Sequence, residues 1–520
     1  MTDVRIITDV LGGSRLSQRL QRGDVPAGWL APRPASAEEW RVHVRERAAE
    51  GGWSARWDAL MPAMMPTGDA ATRLSRVRRE GGVVVTTGQQ PGLFGGPIYT
   101  WSKAMSALAL ADEIEARTGV PTAAVYWAAT DDADFTEAAS TAVARVGGLD
   151  VLRATLAPPP GTPMSLAPLG DLGGARRRLM DASGSAADPR PLRVIEEAYG
   201  APDRTHGDAF VGLLRALLAP LGMPVLDASH PAVGVAAEPT IRAALSRARD
   251  IESVLLARAR EIRDAGFEPQ VGDVPGLALA FVREGTIKRR LSIAETGRVN
   301  GLLTPNVLLR PIVERAILPT VAYVAGPGEL AYFAQVGAVA AALGTPAPLA
   351  VPRWSCTLIE PQIEAMLQRL GIAPSDLDPP DALEGTLARA AMHEDTARAL
   401  SDLREAIALM PDALGDDGEE LGVGRAVIGA TQSLQHRVDR LERRLVAALK
   451  RRETLQMRDA ATLRASLRPR DARQERTLNA IPMLARHGGE LLNEMRQAAG
   501  PHASALVESS RTAPAAGAEP

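Results

Sequence analysis

Cysteine is all but missing from this chain of 520 residues: Cys356 stands alone. One cysteine closes no disulfide within a chain, and a cysteine-built metal site lacks ligands. The seven histidines are scattered, with no H-E-x-x-H pair and no local Ser-His-Asp signature. An excess of one charge is missing too. The formal net charge is −3, so nothing electrostatic argues for nucleic acid as the main partner. The basic clusters at Arg176–Arg178 and Arg443–Arg452 read as solvated surface. No apolar run approaches the roughly 20 residues of a membrane helix. The opening MTDVRIITDVLGG lacks a basic stretch followed by a long apolar one, so a soluble, cytoplasmic protein with no membrane contact is expected. Aromatics make up 3% of the chain, which makes those inside motifs informative.

Hydrophobic residues are plentiful at 46%, and the length predicts two or three domains. Residues 1–80 read as a helical and irregular segment packing on the core, with Ser36 and Glu39 forming a capping box. A strand in GGVVVTT, a helix in PIYTWSKAMSALALADEIEARTG ending near Gly119, and a strand in PTAAVYWAA then make a βαβ unit, hence a parallel sheet. GMPVLDAS adds a short strand, and LPTVAYVAGPGELAYFAQVGAVAAALG repeats strand, turn, helix. This grammar predicts an α/β, doubly wound core over 81–375, with insertions at about 150–205 and 230–300. Residues 384–465 read as an α-helical coiled coil. Its seam is Val427, Leu434, Val438, Leu441, Leu445, Ala448 and Leu455, with Thr431 and Arg452 filling the gaps. One long helix packed on its own domain is the alternative. Pro469 stops it, residues 466–507 form a further segment, and 508–520 read as disordered.

Three stretches carry candidate chemistry. VVVTTGQQPGLFGGPIYTWSKA sets Gly88, Gly92, Gly95 and Gly96 between a strand and a helix. Such a loop lets the backbone approach an anion at a helix N-terminus. It matches neither the P-loop nor the G-x-G-x-x-G spacing, and a plain tight turn is the competing reading. Gln89 and Gln90 add amides, and Tyr99 and Lys103 share a helix face. In WAATDDADFTEAA, Asp131, Asp132 and Asp134 follow a buried strand, where α/β ligands bind. They suit an ammonium, hydroxyls or a Mg²⁺ on a phosphate, or else Asp134 caps the next helix. In TPNVLLRPIVERAILPTVAYVAGPGELAYF, Asn306 and Arg310 precede a helix. Arg310 could grip a carboxylate or phosphate, or pair with Glu314 four residues on. The Gly326, Gly328, Glu329 turn and Tyr332 complete the candidate surface. Cys356, in PRWSCTLIE, is either a reactive thiol or a buried, inert one.

TTGQQPGLFGGPIYTWSKA, WAATDDADF and TPNVLLRPIVERAILPTVAYVAGPGELAYF, with PRWSCTLIE and RQERTLNAIPMLARHG, closely resemble the bacillithiol-biosynthesis cysteine-adding enzyme family, BshC. The resemblance runs from roughly residue 80 to 495. It implies a Rossmann-like core of the class I synthetase and nucleotidyltransferase type, a C-terminal segment returning to it, and dimerisation through the coiled coil. The implied reaction joins the carboxyl of cysteine to the amine of glucosaminyl-malate, with ATP, with or without Mg²⁺, activating the carboxyl. On that basis the loop amides at Gly88–Gly96 and Lys103 would face phosphate. Asp131, Asp132 or Asp134 would orient the amine and take its proton, and Asn306 or Arg310 would hold the malyl carboxylates. No metal site of the protein's own is implied. The family pattern Glu-Asp-His-Asp-Phe reads Asp131-Asp132-Ala133-Asp134-Phe135 here, so an imidazole is replaced by a methyl group. A ligase for another amine or amino acid, and a catalytically silent coiled-coil dimer, are therefore the alternatives.

Overall fold

The structure, a computed structural model, describes residues 2–272, 274–378, 382–414 and 420–508. It divides into two compact units: residues 1–143, 151–359 and 475–520, and residues 144–150 with 360–474.

The first unit is built on a five-stranded parallel sheet. Its strands are β1 (Val83–Gln89), β2 (Thr122–Ala128), β3 (Val225–Asp227), β4 (Thr320–Ala325) and β5 (Ala350–Pro352), in the spatial order β5-β4-β1-β2-β3. Near-continuous apolar runs make these strands, as expected of a sheet covered on both faces. Val84, Ala123, Val125 and Leu226 pack under Trp57, Leu60 and Leu74 of two N-terminal helices. The other face meets helix α1 (Ile98–Thr118), which is buried from Thr100 to Ala111 and stops at Gly119 in the left-handed conformation. β1 runs in register beside β2, Val83 opposite Thr122 and Gln89 opposite Ala128. A Cβ on Gly88 would sit 2.6 Å from the Trp127 carbonyl oxygen, so the strand closes only with glycine there.

After β3 the chain crosses to the far side of β1 to form β4. The ends of β1 and β4 are thus the switch point where α/β sheets open a crevice. Helix α2 (Arg310–Ile317) leads into β4, and helix α3 (Pro327–Leu343) leaves it. A three-stranded antiparallel sheet pairs Ile287–Ser292 and Leu277–Glu284, within the second expected insertion, with Leu303–Pro305 just beyond it.

In the first unit, three expectations need correction. The first residues are not merely helical and irregular. Arg5–Asp9 forms a strand antiparallel to Ser355–Ile359, because Thr8 and Cys356 face each other in a continuous register. Ser36 does cap its helix, accepting from the Glu39 amide at 3.2 Å, but the Glu39 carboxylate accepts from Ala35 instead of closing the box. The core unit closes at Ile359 rather than 375, because helix Pro361–Leu370 packs within the second unit, Arg369 pairing with Asp459 at 2.6 Å.

The second unit is helical. α4 (Glu394–Ala413) and α5 (Gly424–Arg452) pack through Leu400, Ile407 and Val438, with Leu445 alongside, and Arg404 pairs with Asp439 and Glu442. The single expected helix breaks at Glu453 and resumes as α6 (Thr454–Leu467), ahead of Pro469. The seam splits accordingly. Thr431 and Val438 are buried, whereas Leu434, Leu441 and Leu455 are exposed, Leu455 by 69%. The unit extends to Gln474 rather than 465. The chain end expected to be disordered, 508–520, lies outside the described residues except for Glu508, which closes a helix. No helix among the described residues is long and apolar enough to cross a membrane.

Candidate functional site

A cleft of about 710 Å³ opens at the C-terminal ends of β1, β2 and β4, within the first unit. Gly88, Gln89, Gln90, Tyr99 and Lys103 line it, as do Asp131, Asp132 and Asp134, and then Asn306, Arg310, Gly326, Gly328, Glu329 and Tyr332. Gly92, Gly95 and Gly96 do not.

The floor is a set of matched charges. Lys103, with its side chain 3% exposed, projects from α1 and spends all three ammonium protons. It donates to Glu329 Oε2 at 2.5 Å, to the Gly88 carbonyl at 2.7 Å and to Gln89 Oε1 at 3.0 Å. Glu329 sits in the first turn of α3, where it also accepts from the Gly326 amide at 2.7 Å and from the Tyr323 hydroxyl at 2.5 Å. Burial pushes the Glu329 carboxyl up, but Lys103 and the Tyr323 hydroxyl outweigh it and hold the carboxyl below its ordinary range. Burial lowers Lys103, with Glu329 opposing. Lys103 is therefore an internal post rather than a cation free to follow a phosphate. Arg310 is engaged as well. It pairs with Glu314 at 2.7 Å, reaches the Tyr332 hydroxyl at 3.2 Å and lies over the Tyr323 ring at 4.9 Å. Glu314 in turn accepts from Thr86 of β1. Asn306 turns its carboxamide oxygen to the Leu308 and Leu309 amides and so starts α2.

The glycine turn is closed rather than cradling. The Gly95 and Gly96 amides bond to Gly92 and Leu93 carbonyls, and the first amide of α1, at Ile98, is taken by the Leu478 carbonyl. A Cβ on Gly92 would lie 2.6 Å from Gly96 Cα, and Gly95 and Gly96 have φ of +87° and +72°. Asn479, from the returning C-terminal segment, donates to the Leu93, Phe94 and Gly96 carbonyls at 3.0–3.3 Å. These glycines serve a tight, latched turn, and the Gly95, Gly96 and Ile98 amides are already bonded within the protein. The same returning segment supplies Glu475, which takes Arg353 in a buried two-pronged pair at 2.6 and 2.7 Å.

The rim after β2 is acidic. Asp132 accepts from the Asp134 amide and Asp134 from the Thr136 amide, both at 2.9 Å, which shapes the loop. Asp134 thus does local turn work. Among the described residues no neighbouring amide bonds the Asp131 carboxyl, which is held by its own backbone amide. Burial pushes that carboxyl up, with the Lys288 charge pulling back only in part. Ala133 lines the cleft between them.

Sequence reasoning missed several residues. Glu137 accepts from Gln89 Nε2 at 3.0 Å and from the Tyr99 hydroxyl at 3.1 Å, and burial raises its carboxyl. Its signal was its place three residues after Asp134. Lys288, Arg290, Tyr323, Arg353 and Arg476 also line the cleft. The alternation in TIKRRLS could have flagged Lys288 and Arg290 as one strand face. Asn479 and Arg476 lie inside RQERTLNAIP, but no local pattern marks a residue that acts on a turn some 385 positions away. Cys356 is fully buried, 3.6 Å from the Ser102 hydroxyl, and burial drives its thiol well above the usual range. It is the inert cysteine of the two readings.

Comparison with known proteins agrees with this architecture. The family model described as "Bacillithiol biosynthesis BshC, N-terminal Rossmann-like domain" matches residues 58–302 and 293–354, and "Bacillithiol biosynthesis BshC, C-terminal coiled-coil domain" matches 356–505. Relatives that carry the name "Putative cysteine ligase BshC" include those of Solibacter usitatus, 31% identical over 83% of this chain and 85% of the relative, and Koribacter versatilis, 31% identical over 83% and 84%. That of Salinibacter ruber is 27% identical over 96% and 92%. With a Rossmann-like core, a helical C-terminal unit and matches along most of its length, this chain belongs to the BshC family of bacillithiol biosynthesis.

Proposed function

We propose that this protein is a ligase that joins the carboxyl of L-cysteine to the amine of glucosaminyl-malate, forming bacillithiol, with ATP activating the carboxyl. The observation that carries this reading is the cleft at the β1/β4 switch point, where an acidic loop adjoins basic side chains. An amine that bears carboxylates elsewhere needs such a division. The relatives' name, cysteine ligase, supports cysteine as one of the joined substrates.

Amide formation needs an electrophilic carboxyl and an unprotonated amine. ATP, when bound, would make the carboxyl oxygen a leaving group. No step is assigned to the glycine turn or to Lys103, whose hydrogen bonds are spent within the protein. Asp131 is the group best suited to take the ammonium proton, since a carboxyl with a raised pKa is the stronger base. Glu137 holds Tyr99 and Gln89 beside it. The protein would work in the cytoplasm as a homodimer, with Ile428, Leu434 and Leu441 of α5 meeting a second copy. Light scattering of the purified chain would read the dimer directly.

Ala133 favours a second reading, a related ligase with a different amine. The test is one incubation series: cysteine and ATP with glucosaminyl-malate, or with glucosamine and other amino sugars, analysed by mass spectrometry. Bacillithiol formation that requires ATP is expected. A product from another amine alone, or none at all from folded protein, rejects the first reading.

A further inference from the structure

Three cations line the cleft without an ion pair to a carboxylate among the described residues: Lys288, Arg290 and Arg476. Two of them share one strand. In Ile287–Ser292 the alternation turns Lys288 and Arg290 inward, half-buried, while Arg289 points out to pair with Glu284 and Glu295. Lys288 is seated. Its amide bonds to the Gly161 carbonyl at 2.9 Å, its ammonium lies 4.6 Å from the Phe281 ring centroid, and Nζ donates to the Asp131 carbonyl at 2.5 Å. Arg290 is fixed through Nε to the Ala278 carbonyl at 3.0 Å, leaving the ends of its fork unspent. Gly161 has φ of +85°, and a Cβ there would lie 2.8 Å from Ile287, so the connecting loop fits closely under this strand.

Arg290 has no carboxylate ion pair among the described residues, and Lys288 acts on the Asp131 carboxyl without pairing to it, so both half-buried cations carry a desolvation cost that a bound anion would offset. We infer that Lys288 and Arg290 form the anion subsite of the cleft and take the two carboxylates of the acidic amine substrate, a malyl-type dicarboxylate. This rests on the ligase reading above. It moves the carboxylate site away from Arg310, whose charge Glu314 already balances. The cysteine carboxyl is the reacting group and must stay open to activation, whereas the malyl carboxylates are spectators that can be gripped throughout. Lys288 also touches the acidic loop, so one substrate can reach both its carboxylate site and Asp131.

Nucleotide phosphates share this anion chemistry, and the experiment separates the two sources. The full-length protein is titrated calorimetrically with glucosaminyl-malate, L-malate and ATP, beside Lys288→Gln, Arg290→Gln and Arg289→Gln. Each inward substitution is expected to weaken both malyl ligands about tenfold or more, with ATP binding unchanged, since hydrogen bonds to charged groups are worth that factor. Arg289→Gln should match the unaltered chain, and Lys288→Arg should restore most of the affinity. Unchanged malyl affinity in either inward variant, loss of ATP binding instead, or no malyl binding by the unaltered protein overturns the inference. Binding that depends on Lys288 and Arg290 without bacillithiol formation would reject the ligase reading and leave the subsite standing.

Discussion

The floor and the wall of the cleft use positive charge in opposite ways. On the floor, Lys103, Arg310 and Arg353 each meet a carboxylate, from the partly buried Glu329 and the buried Glu314 and Glu475. On the wall, Lys288 and Arg290 bond to carbonyl oxygens and a ring face and form no ion pair among the described residues, although the Lys288 charge acts on the Asp131 carboxyl. The three floor cations sit on or beside the sheet, where an unpaired charge would be intolerable. The wall cations ride on an antiparallel strand at the edge of the cleft, where water still reaches them. Lining a cleft therefore does not make a cation a ligand-binding one. What distinguishes the two sets is whether the protein has already supplied the counter-charge.

The floor should fail by unfolding and the wall by losing ligand. The largest effect is expected from Lys103→Met, which strands Glu329 in the interior. A loss of about 3–5 kcal/mol is expected in chemical denaturation, and adding Glu329→Gln should recover part of it. A single variant as stable as the parent would erase the contrast. Because the Glu329 carboxyl is depressed, its share of stability is complete above the ordinary carboxylate range and is lost as pH falls through the lower folded value.

Asn479→Ala comes next. It removes three donor contacts to the glycine turn, for an expected cost of about 1–3 kcal/mol, with hydrogen exchange rising first at Gly95 and Gly96. If exchange in the turn stays as slow as in the parent, the latch is not what closes it. The smallest effect on stability is expected from Asp131→Asn, which belongs to the rim. Here the readout is pH. The raised Asp131 carboxyl must be ionised to accept a proton, so activity should climb with pH through a value above the usual carboxylate range of about 4. Asp131→Asn should lower the rate and remove that limb. The folded state also holds this proton longer, so Asp131 costs stability as pH rises through the same interval. A profile identical in the variant would take the base role from Asp131.

Local pattern carried much of this protein. The apolar runs of β1, β2 and β4, the Gly119 stop, the Ser36 cap and the Arg310–Glu314 pair are all short-range events, and i,i+4 spacing or strand length encodes them directly. The motif stretches also led to most of the cleft, because in a parallel α/β sheet the ends of neighbouring strands must converge. The roles were less legible. Lys103 and Glu329 are 226 positions apart, and nothing near either one signals that each neutralises the other. The glycine turn looked like an anion cradle, but the Gly95 and Gly96 amides bond within the turn, Leu478 takes the Ile98 amide and Asn479 holds the turn's carbonyls, none of which the local sequence signals. The long heptad gave no sign that part of its seam would be spent within the chain on Leu400 and Ile407.

By itself, then, the sequence determined the elements, their order and the switch point, since each follows from periodicity and turn chemistry within a few residues. The tertiary structure alone decided which charges are spent and which remain for a ligand. Charge balance in a desolvated cleft is a property of what is brought close in space, and the partners here come from segments hundreds of residues apart.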